Sequence, residues 1–225
     1  MGAGQELLDL VDWRRRVGDL YRLRGAGALE DFRRGRDHLF RTHSQSPIED
    51  RAGFHGLDYF PPDPAFRVPA QLVPATVAED LVIGTGGEDG AIRYRRAGSL
   101  QFELEGTACS LTVLSLVAYG GGLFLPFKDA TSRVDTYGGG RYLFDTVKNT
   151  DGLALEVEAG SDRLIIDFNY AYNPSCAYNP RWACPLAPPE NILPIAVNAG
   201  EKSYQPWVPG SPLKGPRTSA VIQPP

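Results

Sequence analysis

The sequence predicts a mainly β (α+β) protein, an antiparallel β-barrel or sandwich-like meander with N-terminal helices packed outside. Three observations carry that expectation. The 225 residues include 25 Gly and 19 Pro, a turn-rich composition that goes with many short strands. From about Phe66 to Asp167, apolar or alternating runs follow one another closely. The gaps are too short for the dozen or more residues of a parallel crossover, so neighbouring strands must run antiparallel. Helical spacing of apolar residues is confined to the first part of the chain. The expected organisation is a helical segment over 1–48, an antiparallel β domain over 49–204 and a flexible tail over 205–225.

Taken in order, residues 5–24 read as a helix. Leu7, Leu10, Val11, Val17 and Leu20 recur near helical spacing, and Leu8 and Trp13 widen the stripe. A second helix runs from about Leu29 to Thr42, with Phe32, Leu39 and Phe40 apolar and with Gly25 and Gly27 separating the two. Arg14, Arg15, Arg16, Arg22, Arg24, Arg33, Arg34, Arg36 and Arg41 crowd this region, but nine acidic residues lie within the first 50. Solvated helix faces with i,i+4 pairs follow. Ser44–Pro47 ends the helical part, because a residue before Pro is pushed out of the α region. Phe54–Pro69 reads as an extended crossing that packs Phe54, Tyr59, Phe60 and Phe66 on the body.

The strands come next. Leu81–Ile83 and Ala91–Tyr94 flank Asp89–Gly90, a good hairpin turn. Leu100, Phe102 and Leu104 alternate with Gln101, Glu103 and Glu105, as in a half-buried strand. Leu111–Tyr119 is nearly all apolar and suits a central strand. Leu123–Phe127, Arg141–Phe144, Leu153–Glu158 and Arg163–Asp167 follow, and Ile192–Val197 is a candidate last strand.

Two stretches break the pattern. Phe168–Asn191 holds five Pro, two Cys, four Asn and four Tyr or Trp in 24 residues. It can be neither helix nor central strand, yet it is too aromatic for a disordered linker. It reads as a long ordered loop of the functional kind. Within it, AYNP at 171–174 recurs at 177–180, each Asn–Pro starting a turn. Phe124–Leu143 gathers Lys128, Asp129, Thr131, Ser132, Asp135, Tyr137, Arg141 and Tyr142 around Gly138–Gly140.

Composition excludes several roles. A formal charge of −4 and a pI of about 5.4 argue against non-specific nucleic-acid binding. No apolar run approaches the roughly 18 residues of a membrane span, and the N-terminus lacks a signal-peptide pattern. Three cysteines make no disulfide framework, so a cytoplasmic place is expected. No metal and no cofactor are expected. The cysteines and His38, His43 and His55 have no zinc-like spacing. YGGGR lacks the Lys-Ser/Thr pair of a phosphate loop, and in GTGGEDG a strand follows where a dinucleotide fold needs a helix. Cys176 as a nucleophile would need His43 or His55 nearby. A Cys176–Cys184 disulfide is geometrically conceivable but goes poorly with a reducing compartment, which leaves inert buried thiols as the plainer expectation.

The carboxylates are the stronger candidates. Asp167 ends the apolar strand Leu164–Ile166, where partial desolvation raises its pKa. Asp129 follows another apolar strand beside Lys128. Strand ends at a barrel mouth are where polar groups converge on a ligand. Asp129 and Asp167 are therefore the expected acid/base residues. Arg141 would anchor a substrate carboxylate, and Tyr137, Thr131, Asn169 and Tyr172 would orient or stack on it. The alternative for Asp167 and Asn169 is to tie down the long loop by bonding its backbone N–H groups.

At these residues the sequence resembles a known family. FLPFKDATSRVDTYGGGRYL and LIIDFNYAYNPSCAYNPRWACPLAPPENILPIAVNAGEK resemble the signature blocks of the bacterial family catalogued as domain of unknown function 1684, and SQSP and WRRR fit its N-terminal part. The resemblance covers about residues 10–204. It implies that the motif residues fall in the two loops, among them Asp129, Thr131, Tyr137, Gly140, Arg141, Asp167, Asn169, Tyr172, Cys176, Cys184 and Asn191. It implies no activity. The expected function is a cofactor-independent enzyme acting on a small organic molecule by carboxylate acid/base chemistry: cyclisation, isomerisation or hydrolysis, in specialised metabolism. Two alternatives stand beside it. One is a non-catalytic small-molecule-binding module. The other is an interaction protein, a possible homodimer, that buries Tyr178 and Trp182 of the aromatic loop.

Overall fold

The computed structural model describes residues 2–86, 90–117, 121–158 and 160–205. Residues 206–225 of the expected tail over 205–225, the turn residue Asp89 and the strand end at Tyr119 lie outside them. Two helices, α1 (Ala3–Leu20) and α2 (Ala28–Thr42), precede eight strands: β1 (Arg67–Pro74), β2 (Asp80–Gly84), β3 (Ala91–Leu104), β4 (Thr107–Leu116), β5 (Leu123–Phe127), β6 (Arg141–Asp145), β7 (Leu155–Val157) and β8 (Arg163–Asp167).

All strand pairings are antiparallel. The order is β6-β5-β4-β3-β1-β8-β7, with β2 pairing β3 off this path, and the sheet curls into a half-barrel. β3 is long because it serves two partners in turn on one edge. Its first half pairs β2 and its second half pairs β1. The switch coincides with a bulge between Arg96 and Gly98. Gly98 is required there, because a Cβ would stand 2.5 Å from the Val73 carbonyl oxygen.

Directly opposed residues share a face, so the register reads out the inner layer. Val157, Leu164, Ala70, Phe102 and Cys109 form one row, and Leu72, Leu100 and Leu111 the next. Burying each large apolar side chain contributes about 1.5–3 kcal/mol. On the outer face Tyr94 stacks on Phe124, and the Phe124 ring stands edge-on to Tyr142 at 4.7 Å. The series continues through Tyr172 and Tyr21 to Phe32, which joins sheet, long loop and helices.

The helices pack outside, though only part of the α1 stripe is used. Trp13, Val17 and Leu20 pack against the body, whereas Leu7 and Leu8 are 68% and 64% exposed and Leu10 and Val11 are exposed too. At the crossing, a Cβ on Gly35 would meet Leu20 Cδ2, which is how α2 reaches α1 so closely. The arginines are not all solvated. Arg36 is buried between Phe32 and Phe40, one helical turn away on either side, with its guanidinium 5.0 Å from the Phe40 ring. Its Nη2 donates to Glu201 Oε2 at 2.8 Å and to the Tyr178 hydroxyl at 3.2 Å, and its Nε donates to the Tyr59 hydroxyl at 3.2 Å. This cluster fastens α2 to the far end of the β domain. The crossing segment behaves as expected, with Phe54, Phe60 and Phe66 buried.

The expected strand at Ile192–Val197 is absent among the described residues. Pro194 has no N–H to donate, and only a single bridge forms, between Lys128 and Ile192. Asn191 holds this segment instead. Its Oδ1 accepts from Thr112 N at 2.8 Å, and its Nδ2 donates to the Thr112 and Pro126 carbonyls at 2.9 and 2.8 Å.

Candidate functional site

The first loop is built around Asp129 and Arg141. Arg141 opens β6, and its side chain is fully buried. Its Nη2 lies 2.9 Å from Asp129 Oδ2 and donates to the Val197 carbonyl at 2.9 Å, while Nη1 donates to the Ala199 and Glu201 carbonyls. Burial pushes the guanidinium pKa down, and the neighbouring carboxylate opposes the shift. Asp129 Oδ1 accepts from Thr131 N at 2.8 Å, Thr131 Oγ1 at 2.5 Å and Val197 N at 3.2 Å. Gly140 takes φ +94° and leaves no room for a Cβ, which would stand 2.5 Å from the Phe127 carbonyl oxygen. The glycine run thus lets Arg141 enter directly under β5.

Asp167 keeps other company. Its Oδ1 accepts from both N and Nδ2 of Asn169 at 2.9 Å, and Asn169 in turn exchanges two hydrogen bonds with the Asp63 backbone. The carboxylate caps the turn Phe168–Tyr170 and ties it to the crossing segment. Burial raises the Asp167 pKa, with the Asn169 bonds, Arg67 and Arg33 pulling the other way.

Tyr172 is buried. Its hydroxyl lies 2.7 Å from Thr150 Oγ1, and its backbone pairs with that of Tyr142. Tyr137 is half-buried, with its hydroxyl 3.7 Å from Cys176 Sγ, and burial pushes its pKa up to about 12.

The seven residues expected to form one site therefore separate. Asp129, Thr131 and Arg141 meet, Asp167 and Asn169 meet, and the two groups share no hydrogen-bond partner. Tyr137 and Tyr172 belong to neither. The expected common hollow is not formed, because the loop from Val197 to Glu201 supplies its own carbonyls to Arg141 and closes over the pair. In the aromatic loop Trp182 is exposed, but the Tyr178 hydroxyl donates inward to Glu201. Arg36 and Glu201, which sequence reasoning passed over as a site, are a second buried ion pair among the described residues. The signal for Arg36 was its place midway between Phe32 and Phe40.

A hollow does exist elsewhere. A cavity of about 120 Å³ lies inside the half-barrel, lined by Leu72, Leu100, Val113, Leu123, Phe144, Leu155, Val157 and Leu164, with Ser161, Asp162 and Arg163 at its polar rim. Both terminal strands of the path contribute to the lining, Phe144 from β6 and Val157 from β7. The curled sheet therefore wraps one hollow between its own edges. At the rim Asp162 accepts from Gln71 Nε2 at 3.2 Å, and Val157 is exposed. Sequence reasoning found the strands but not this cavity. Among the described residues, no group of three His, Cys, Asp or Glu is placed to hold a metal ion, and no helix is long and apolar enough to cross a membrane.

Comparison with known proteins finds no match among the curated proteins. Among solved structures, the chain is similar to an uncharacterized protein of Haloarcula marismortui determined by solution NMR. Identity is 37% and the TM-score 0.56, and the match covers 77% of this chain and 91% of the other. Residues 52–202, which hold the whole half-barrel and both loops, match the model of a family described as a protein of unknown function, DUF1684. The chain belongs to the DUF1684 family.

Proposed function

We propose that the protein is a small-molecule-binding module whose half-barrel takes the apolar end of its ligand. The observation that carries this reading is the cavity lining: eight apolar side chains from seven strands, with polar groups only at the rim. Ligand sites are typically concave and mostly apolar, with a few polar groups fixing orientation. Apolar cavities of about 150 Å³ hold benzene. A hollow of about 120 Å³ therefore suits a small ring or a short branched alkyl group, with the rest of the ligand leaving past Ser161, Asp162 and Arg163. The engagement of the two carboxylates, Asp129 buried and Asp167 half-buried, favours binding over acid/base chemistry. Asp129 is saturated by four partners, and Asp167 is engaged by Asn169. Catalysis through either would require those bonds to break first. We place the protein in the cytoplasm on cysteine usage alone.

The test is extraction. Protein purified from its own host is denatured in organic solvent, and the released compounds are identified by mass spectrometry. The expected result is a small amphiphile enriched over a Val113→Phe variant, whose larger side chain fills the hollow. Equal recovery from both proteins would overturn the reading.

A further inference from the structure

Cys176 and Cys184 meet in the long loop, away from the cavity and sharing no residue with its lining. Cys176 N donates to Cys184 Sγ at 3.4 Å, which sets the two cysteines side by side. The turn Ser175–Ala177 positions one sulfur, and a bond from Cys184 N to the Thr85 carbonyl at 3.2 Å positions the other. Cys176 is half-buried and Cys184 buried, and both are free thiols. Tyr137 completes the group, 3.7 Å from Cys176 Sγ.

We propose that Cys176 and Cys184 are a redox-active dithiol that a hydroperoxide converts to a disulfide. The site is asymmetric. The neighbouring Cys176 thiol, the Cys176 N–H that donates to Cys184 Sγ and the Lys148 charge hold the Cys184 pKa below its ordinary value. The Cys176 pKa is raised, chiefly by the neighbouring Cys184 and by burial, so Cys176 stays protonated. Tyr137 and Tyr142 face the pair as neutral phenols, since burial raises both, and Asp145 sits 3.4 Å from the Lys148 ammonium. Cys184 therefore carries the thiolate and Cys176 the resolving thiol.

The steps balance. The Cys184 thiolate attacks one peroxide oxygen and the O–O bond breaks. The leaving alkoxide or hydroxide takes up a proton, and Cys184 becomes a sulfenic acid. The Cys176 sulfur then attacks the Cys184 sulfur, the S–O bond breaks, and the Cys176 proton leaves with the oxygen as water. The dithiol loses two electrons and two protons, and the peroxide is reduced to water and an alcohol, or to two waters. Cys109 is excluded from this chemistry. It is buried at a strand, burial raises its pKa, and no thiol partner lies beside it among the described residues.

The full chain is treated with hydrogen peroxide, denatured, alkylated and digested. Peptide mass spectrometry should then show Cys176 and Cys184 joined, lighter by two hydrogens and unalkylated, with Cys109 alkylated. Dithiothreitol should restore all three thiols. In Cys176→Ser, dimedone should label Cys184, because the sulfenic acid is no longer resolved. Recovery of both thiols alkylated from the peroxide-treated parent would overturn the proposal. So would oxidation of Cys109 at an equal rate. Because the parent chain alone gives this reading, a variant that fails to fold does not obscure it.

Discussion

Removing the guanidinium of Arg141 leaves a buried carboxylate facing three hydrogen-bond donors and no cation. Breaking a buried pair from one side costs about 3–5 kcal/mol. Arg141→Met should therefore lower unfolding stability by about that amount in a urea titration. The double change Asp129→Leu with Arg141→Met should recover only part of the loss. Asp129 also accepts the Thr131 and Val197 backbone N–H groups, and Arg141 also satisfies the Val197, Ala199 and Glu201 carbonyls. Asp167 gives a pH prediction. Burial raises its folded-state pKa, so the folded chain binds that proton more tightly than the unfolded chain. The resulting stabilisation is complete below the unfolded value of about 3.9 and is lost as pH rises through the higher folded value. Asp167→Asn should accordingly gain stability relative to the parent as pH is raised across that window. A difference that stays constant with pH would contradict it. Both residues stood out in the sequence as carboxylates after apolar strands. Their partners did not, because Val197, Ala199 and Asp63 lie far away in the chain and contribute backbone groups that no side-chain pattern marks.

Helix α2 is held at one point above all. Arg36, Glu201, Tyr178 and Tyr59 form a buried polar cluster, and Asn173 N adds a bond to Glu201 Oε2 at 3.1 Å. Glu201→Ala should release the helix from the half-barrel while the sheet keeps its own rows of apolar pairs. Hydrogen exchange should then quicken over Ala28–Thr42 by an order of magnitude or more, with β3 and β4 protection much less affected. Uniform quickening would mean that helix and sheet open as one unit. The legible elements were those with strong periodicity. Leu100, Phe102 and Leu104 gave β3, and Phe32, Leu39 and Phe40 gave α2. Ile192–Val197 misled because its apolar content suits a strand while Pro194 and the Asn191 bonds hold it as a loop. Half of the α1 stripe misled for a related reason. Periodicity announces a face, but not whether anything lies opposite it.

The whole molecule is a curled antiparallel sheet with two differently used faces. The outer face is covered by helices and the aromatic loop, and the inner face retains a hollow between β6 and β7. The sequence announced the curl through strand spacing. It could not announce the hollow, because unfilled volume depends on how side chains from several strands add up, and each lining residue alone reads as ordinary core. The proposed binding role rests on that volume being accessible to an apolar guest. The most direct measurement is a methyl NMR titration of the intact chain with toluene. The leucine and valine methyls of Leu72, Leu100, Val113, Leu155 and Leu164 should shift together and saturably. Those of the exposed Val77 and Val134 should stay in place, and Val113→Phe should abolish the response while leaving the rest of the spectrum folded. Shifts spread evenly over exposed and lining methyls, or none at saturation, would contradict a binding role for the half-barrel.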